Sequence, residues 1–339
     1  MNHFGIDIGS TTLKIVEVKK EGEKFRIVAA GLSPTPQPGL NSEAEKDVVA
    51  VASAIKKLHQ DARISVRNAA IALPESQIYC RVIDFPPMEQ NELAQAVPWH
   101  AEQFIPLPLE QVNLDWQIVS RGFNEKKEEK IKVLLVAAPL AVIQKYVRFV
   151  EMAGFKIAAV ETEIIASARA LIPKESPPTL LIDFGAKTTD MAVINKGAVV
   201  LGRSIPTAGE AFTRAIATSL SLTPAQAEEY KITYGLGETQ LEGKVKKALT
   251  PVFEIVVSEV KKILNFWRQN EKEPVNRVIL AGGSANLPSA SPFFTEALGM
   301  EVQIGDPFVN LVPDERILGS LRPNAPLFVI AVGLSEKEI

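Results

Sequence analysis

The sequence predicts an α/β protein built as two similar lobes that face each other across a cleft. Three features predict it. Short apolar, β-prone runs alternate with helical patterns along all 339 residues. A strand, Asp-x-Gly, strand pattern occurs twice, at Ile6-Asp7-Ile8-Gly9 and Ile182-Asp183-Phe184-Gly185, 176 residues or about half a chain apart. A third turn, Ala281-Gly282-Gly283-Ser284, is rich in glycine and follows an apolar run.

Length sets a prior of about two domains. Hydrophobic residues at 46% and charged residues at 23% exclude a disordered or low-complexity chain. Thirty-seven Lys and Arg against 40 Asp and Glu leave a net charge of −3, without the basic excess of a nucleic-acid-binding protein. The single cysteine, Cys80, excludes an intrachain disulfide and suits a reducing, cytosolic compartment. The start, MNHFGIDIGS, lacks the parts of a signal peptide. No run is expected to supply the ~18 apolar residues of a membrane span, so direct insertion is not expected.

Phe4–Ile8 and Leu13–Lys19 read as a hairpin around Gly-Ser-Thr-Thr, with Phe25–Leu32 as a third strand. The Pro-rich link Ser33–Gly39 precedes a helix at about Glu45–Leu58 and a buried strand, Asn68–Leu73. Residues 76–161 then read as a β-α-β-β-α-β unit. Its parts are Ser76–Phe85, Glu89–Phe104, Val112–Val119, Ile131–Ala138, Pro139–Met152 and Ile157–Val160, with a charged tip at Glu125–Lys130 and a helix stop at Gly154. Pro98 lies inside the second of these, where a break or bend is expected. A helix at Thr162–Leu171 leads through Ile172–Pro178 to a second strand pair, Thr179–Phe184 and Met191–Ile194. Helices follow at Ala211–Leu220, Pro224–Tyr230 and Pro251–Trp267, then a strand at Val275–Ala281 and a closing apolar segment, Leu327–Leu334.

The repeated turns suit a phosphate clamp. Gly, Ser and Thr offer backbone N–H groups and hydroxyls without bulk, which is how phosphate oxygens are held. An Asp at each strand end repels phosphate directly but suits Mg²⁺, generally through water. Either copy alone is satisfied by a plain hairpin turn; two copies at half-length spacing point to the clamp. Gly282 and Gly283 let the backbone approach a ligand, and Ser284 and Asn286 suit a helix start.

These three turns, in this order, resemble the phosphate-1, phosphate-2 and adenosine motifs of the actin/Hsp70/sugar-kinase superfamily. The resemblance implies a bilobed actin-like ATPase fold, two duplicated ribonuclease-H-like lobes with ATP and Mg²⁺ between them. The insertion narrows it. Phe85-Pro86-Pro87-Met88, Ala101-Glu102-Gln103-Phe104-Ile105-Pro106-Leu107-Pro108-Leu109 and Val112-Asn113-Leu114-Asp115-Trp116 resemble the PilM family of type IV pilus assembly, relatives of FtsA. The subdomains implied are residues 1–75, 162–177 and 308–339 for the first core, 76–161 for an FtsA/PilM-type insertion, 178–205 and 274–307 for the second core, and 206–273 for a helical subdomain.

By this resemblance Asp7, Gly9, Ser10, Thr11, Thr12 and Lys14 form phosphate 1. Asp183, Gly185, Lys187, Thr188 and Thr189 form phosphate 2. Gly282, Gly283, Ser284 and Asn286 form the adenosine turn. Ala227-Glu228-Glu229-Tyr230-Lys231 is similar to an A-E-x-x-K helix, implying Glu228 at the ribose and Lys231 near the nucleoside. Asp7 and Asp183 are the implied Mg²⁺ residues. The alternative for Lys14 is a solvated strand residue, and without the family the Glu228/Lys231 pair would just be a solvated helix face. Glu163 resembles the residue that positions the hydrolytic water, but Ile164 stands where a proline often follows it, so weak or no ATPase activity is expected.

The family also implies a partner, the cytoplasmic N-terminal peptide of PilN, in a groove between the first core and the insertion. Recruitment by that peptide implies a peripheral place at the bacterial inner membrane, and an actin-like fold allows self-association. FtsA carries a membrane-targeting helix that this sequence is not expected to share. A small-molecule kinase of the sugar or acetate type is the alternative. It needs an Asp base beside the cleft, for which Asp115 is a poor candidate. His3, His59 and His100 show no metal-ligand spacing.

Overall fold

The computed structural model describes residues 2–123 and 129–339. Residues 125–128 of the expected charged tip lie outside them. The chain opens on β1 (Phe4–Ile8), β2 (Thr12–Glu21) and β3 (Lys24–Pro34). All five residues of β1 are buried, which explains its unbroken apolar run. α1 (Glu45–Asp61) turns Val48, Val51, Ala52, Ile55 and Leu58 inward at helical spacing. Then come β4 (Asn68–Leu73), β5 (Tyr79–Phe85), α2 (Gln90–Ala101), β6 (Val112–Phe123), β7 (Glu129–Pro139), α3 (Leu140–Met152), β8 (Lys156–Thr162) and α4 (Glu163–Leu171). The second half runs β9 (Thr179–Phe184), β10 (Thr189–Asn195), β11 (Ala198–Ile205), α5 (Gly209–Leu220), α6 (Pro224–Tyr234), α7 (Lys244–Asn270), β12 (Arg277–Gly282), α8 (Ala290–Leu298), β13 (Glu301–Ile304), α9 (Glu315–Leu321) and α10 (Val329–Ser335).

Among the described residues two five-stranded sheets result, ordered β3-β2-β1-β4-β8 and β11-β10-β9-β12-β13. In each, an antiparallel meander is extended by two parallel strands. The half-length repeat in the sequence is therefore a repeat of topology. A third sheet, β5-β7-β6, is inserted between β4 and β8. Its outer face packs under α2 through Leu93, Val97 and Ala101 against Phe85, Ile131, Val133 and Leu135. Its other face, through Leu134 with Val82 and Val136, joins a cluster with α4 and with Leu181, Ala192 and Val199 of the second lobe. The insertion thus touches both halves.

Several elements differ from the sequence expectation. β8 does not close the inserted unit; it pairs in parallel with β4. β7 already has a neighbour on each side, and the crossover through α3, packed with α1 in the first core, returns the chain to the free edge of β4. α2 runs unbroken through Pro98. The proline lies in its last turn, where Glu102 N still donates to Pro98 O at 3.2 Å, and the buried side chains of Leu93, Val97 and Ala101 hold the helix across it. α7 begins at Lys244 rather than Pro251, because Val245, Ala248 and Leu249 already face the core. β11, α8, β13 and α9 were not foreseen.

The C-terminal run Glu315–Ser335 is long and apolar enough to cross a membrane by length and composition, with a mean hydropathy of 1.5, contrary to expectation. It is not one regular helix: a 3₁₀ stretch, Arg322–Phe328, holding Pro323 and Pro326, separates α9 from α10. α10 is wedged between β1 and α4. A Cβ on Gly5 would collide with Ala331 O, and one on Gly333 with Ala166 O. Its apolarity serves the core of the first lobe.

Candidate functional site

The two Asp-x-Gly turns meet in one cleft. Each closes with the same bond: Gly9 N donates to Thr12 O at 3.2 Å, and Gly185 N to Thr188 O at 2.9 Å. A Cβ on Gly9 would lie 2.8 Å from Thr12 O, so glycine is needed for the turn to close. Asp7 and Asp183 end β1 and β9 and are both buried. Their partners differ. Lys14 stands opposite Asp7 in register, its Nζ 2.8 Å from Asp7 Oδ2. At the equivalent place Asp190 stands opposite Asp183. Asp190 Oδ2 accepts from Thr188 Oγ1 at 3.1 Å, while its buried Oδ1 has no hydrogen-bond partner.

Carboxylates therefore outnumber cations at the cleft floor. Burial, then repulsion from Asp190 and Asp7, pushes Asp183 up to about 7, with Lys14 offsetting part of the effect. Asp190 is raised chiefly by burial. Glu163, at the start of α4, is raised well above the usual range by burial and by Asp7, Asp190 and Asp183. Glu75, which does not line the cleft, also rises to about 7, again first by burial. Such a cluster accepts a cation readily, because a nearby positive charge relieves both causes. Among the described residues no three acidic, His or Cys side chains converge to hold a metal. An ion here would need water and phosphate oxygens to complete its shell.

The third turn closes the cleft from the second lobe. Gly282 has φ +78°, and a Cβ there would collide with Phe184 O. Ser284 is buried, and Asn286 Nδ2 donates to Pro323 O at 3.1 Å, tying the turn to the C-terminal segment. On α6, Lys231 is buried and its Nζ donates to Glu228 Oε2 at 2.7 Å, Thr213 Oγ1 at 2.9 Å and Gly209 O at 3.2 Å. Thr213 also donates to Glu228. All three lysine donors are thus used within the protein. Lys231 holds Glu228 in place and has no donor left for a nucleoside.

The cleft has a volume of about 1040 Å³. Every sequence-predicted site residue lines it except Thr189. Thr189 is fully buried and donates to Thr207 O at 2.6 Å, turned away from the cleft because it is already in β10. The sequence reading missed Asp190, Thr213 and Asn41. Asp190 was accessible: it lies at the repeat offset from Lys14. Asn41 Oδ1 accepts from Lys187 Nζ at 2.7 Å, a bond between the two lobes that no local pattern announces. Asp115 does not line the cleft and accepts from Trp116 N. The orphaned Asp190 Oδ1, the cradle at Gly9 and Gly282 and the acidic floor all fit Mg²⁺ with a phosphate-bearing ligand.

A family model described as Type IV pilus assembly protein PilM matches residues 5–338. A solved structure described as the PilM-PilN type IV pilus biogenesis complex is 28% identical, with a TM-score of 0.83 over 99% of this chain and 98% of that one. The ethanolamine utilization protein EutJ from Carboxydothermus hydrogenoformans superposes at a TM-score of 0.60 with 18% identity, over 99% of this chain and 89% of that one. MreB 5 of Spiroplasma citri, solved bound to AMPPNP, superposes at 0.52 with 13% identity, over 98% of this chain and 94% of that one. The last two share the actin-like fold. Cell division protein FtsA of Pseudomonas aeruginosa is 25% identical over 90% of this chain and 82% of its own length.

Proposed function

The chain belongs to the PilM family of type IV pilus assembly proteins, and on that premise we propose that it is an ATP-binding platform protein that binds the cytoplasmic N-terminal peptide of PilN and is drawn by it to the inner membrane. The observation that carries the reading is the full-length similarity to a structure whose description pairs PilM with PilN. Apolar side chains support a peptide partner: α1 leaves Val49, and α3 leaves Leu140 and Met152, more than a third exposed. These two helices pack on each other in the first core, beside the inserted sheet from which α3 leads, and Arg148 of α3 pairs with Glu45 of α1.

Mg²⁺-ATP would be held by the two turns, with Lys187 and the hydroxyls of Ser10, Thr11 and Thr12 at the phosphates, Asp7, Asp183 and Asp190 facing the ion's water shell, and Glu228 at the sugar. The bound ion would supply charge neutralisation for the phosphates and for the acidic floor. Glu163 favours slow turnover. Burial and the carboxylates of Asp7, Asp190 and Asp183 raise its proton affinity, which disfavours the ionised form that would take a proton from water. The insertion rests on both lobes, so a change in their relative position would alter the peptide site.

A pull-down of the full chain with a PilN N-terminal peptide, with and without Mg²⁺-ATP, tests this. Retention that responds to nucleotide is expected; no retention in either state would sink the partner reading.

A further inference from the structure

Glu75 does not line the cleft described above, yet it is placed at a crossing point. The chain leaves the first sheet after Leu73, returns to it along β8 from Lys156, and leaves it again after Thr162; Leu73 and Thr162 stand opposite each other in the β4–β8 register. Glu75 lies just past the exit, in the 3₁₀ turn Glu75–Gln77. Its Oε1 accepts from Ile164 N at 3.1 Å, a bond between residues 89 apart in sequence. Thr162 is the N-cap of α4, accepting from Ile165 N at 3.3 Å. Two of the free N–H groups of the first turn are thus satisfied, one of them by a carboxylate carried in from the 3₁₀ turn after β4.

Between Thr162 and Ile164 sits Glu163, which lines the cleft. The neighbours of Glu75, Pro74, Ser76 and Gln77, line it too. Gln77 is followed within two residues by β5, the first strand of the insertion. One side chain therefore fastens the exit to the insertion to the helix turn that follows the returning strand β8 and presents Glu163.

We propose that Glu75 is a positioning residue that holds Glu163 against the cleft and makes the root of the inserted subdomain move with the groups around the ligand. The claim about Glu163 and α4 stands on geometry alone. The claim of movement rests on the reading that Mg²⁺-ATP occupies the cleft.

The test uses the full chain and the variants Glu75→Ala and Glu75→Gln, followed by hydrogen exchange with and without Mg²⁺-ATP, with calorimetry for ATP affinity. Without ligand, Glu75→Ala should exchange the first-turn amides of α4 about tenfold faster, the loss of one charge-assisted bond. Glu75→Gln should stay within about twofold of wild type, since its amide oxygen accepts the same bond. ATP affinity should change less than about threefold in either, because Glu75 does not line the cleft. Ligand protection at Tyr79–Phe85 should appear in wild type and Glu75→Gln and vanish in Glu75→Ala.

Unchanged α4 exchange in Glu75→Ala, or equal exchange in the two variants, would overturn the proposal. So would protection of β5 that survives in Glu75→Ala. If Glu75→Ala does not fold, Glu75→Gln decides: wild-type exchange upholds the proposal and faster exchange overturns it. Absence of ATP binding by wild type would refute the nucleotide reading instead, and the ligand-free exchange would still judge Glu75.

Discussion

Lys14 Nζ lies 2.8 Å from Asp7 Oδ2, both side chains buried at the end of the first hairpin. The second lobe repeats the hairpin but puts Asp190 in the place of Lys14, opposite Asp183. One half of the clamp is neutralised within the protein, and the other half awaits a positive charge. The site's response to pH and to substitution follows from this asymmetry.

Stability without ligand should fall as pH rises. Asp183 and Glu75 have folded values pushed up to about 7, above their ordinary 3.8 and 4.5. The folded state binds more protons than the unfolded one over that interval, so each group destabilises progressively from about pH 4 to 7 and no further above it. Thermal melts from pH 4 to 8 should show the decline, and saturating Mg²⁺-ATP should flatten it. A rise in stability over that range would contradict the placement of these carboxyls.

Substituting the two aspartates should separate stability from binding. Asp183→Asn removes a repelled carboxylate and should hold or raise the melting temperature near neutral pH. Asp7→Ala strands buried Lys14 and should cost about 3 kcal/mol. Both should lose Mg²⁺-ATP binding in calorimetry. Unchanged affinity in both would refute the clamp.

Gly282→Ala should be more damaging than its size suggests. The position has φ +78° and no room for a Cβ against Phe184 O. Backbone strain of about 1–3 kcal/mol and displacement of the third turn should lower the denaturation midpoint and abolish nucleotide binding together.

Lys187 bridges the lobes through Asn41. Asn41→Ala removes only that bond and should change ATP affinity less than about threefold, whereas Lys187→Ala also removes a cation from the phosphates and should cost about tenfold or more. Equal effects would mean that Lys187 serves the bridge alone.

Lys231→Met should weaken ATP binding indirectly. It frees Glu228 and leaves Thr213 Oγ1 and Gly209 O without their donor, at about 1–3 kcal/mol in stability by urea titration. Glu228→Gln, which keeps the side chain's shape, should cost less stability.

The duplicated lobes, the three turns and the part of the cleft lining that the motifs supply were legible in the sequence, because each is a local signal. Strand alternation, Asp-x-Gly and Gly-Gly need only a few consecutive residues. Thr188 and Thr189 mark the limit of such reading. Neighbours in a motif, they separate in space because successive residues at a strand start face opposite ways, and only the β9–β10 register decides which faces the cleft. The apolar stretch at the C-terminus marks another limit. Its hydropathy is that of a membrane span, and only its packing between β1 and α4 identifies it as core.

The sequence by itself determined that two similar halves bring matching Asp-x-Gly turns to one cleft, and the strings of the inserted region pointed to the family to which the chain belongs. Tertiary structure alone decided which strand completes which sheet, that Asp190 faces Asp183 without a counter-ion, and that Glu75 holds the helix bearing Glu163. The physical reason is distance along the chain. β8 meets β4, Lys187 meets Asn41 and Glu75 meets Ile164 across dozens of residues or more. Pairings at that separation are set by closure of the whole core, which no local pattern encodes.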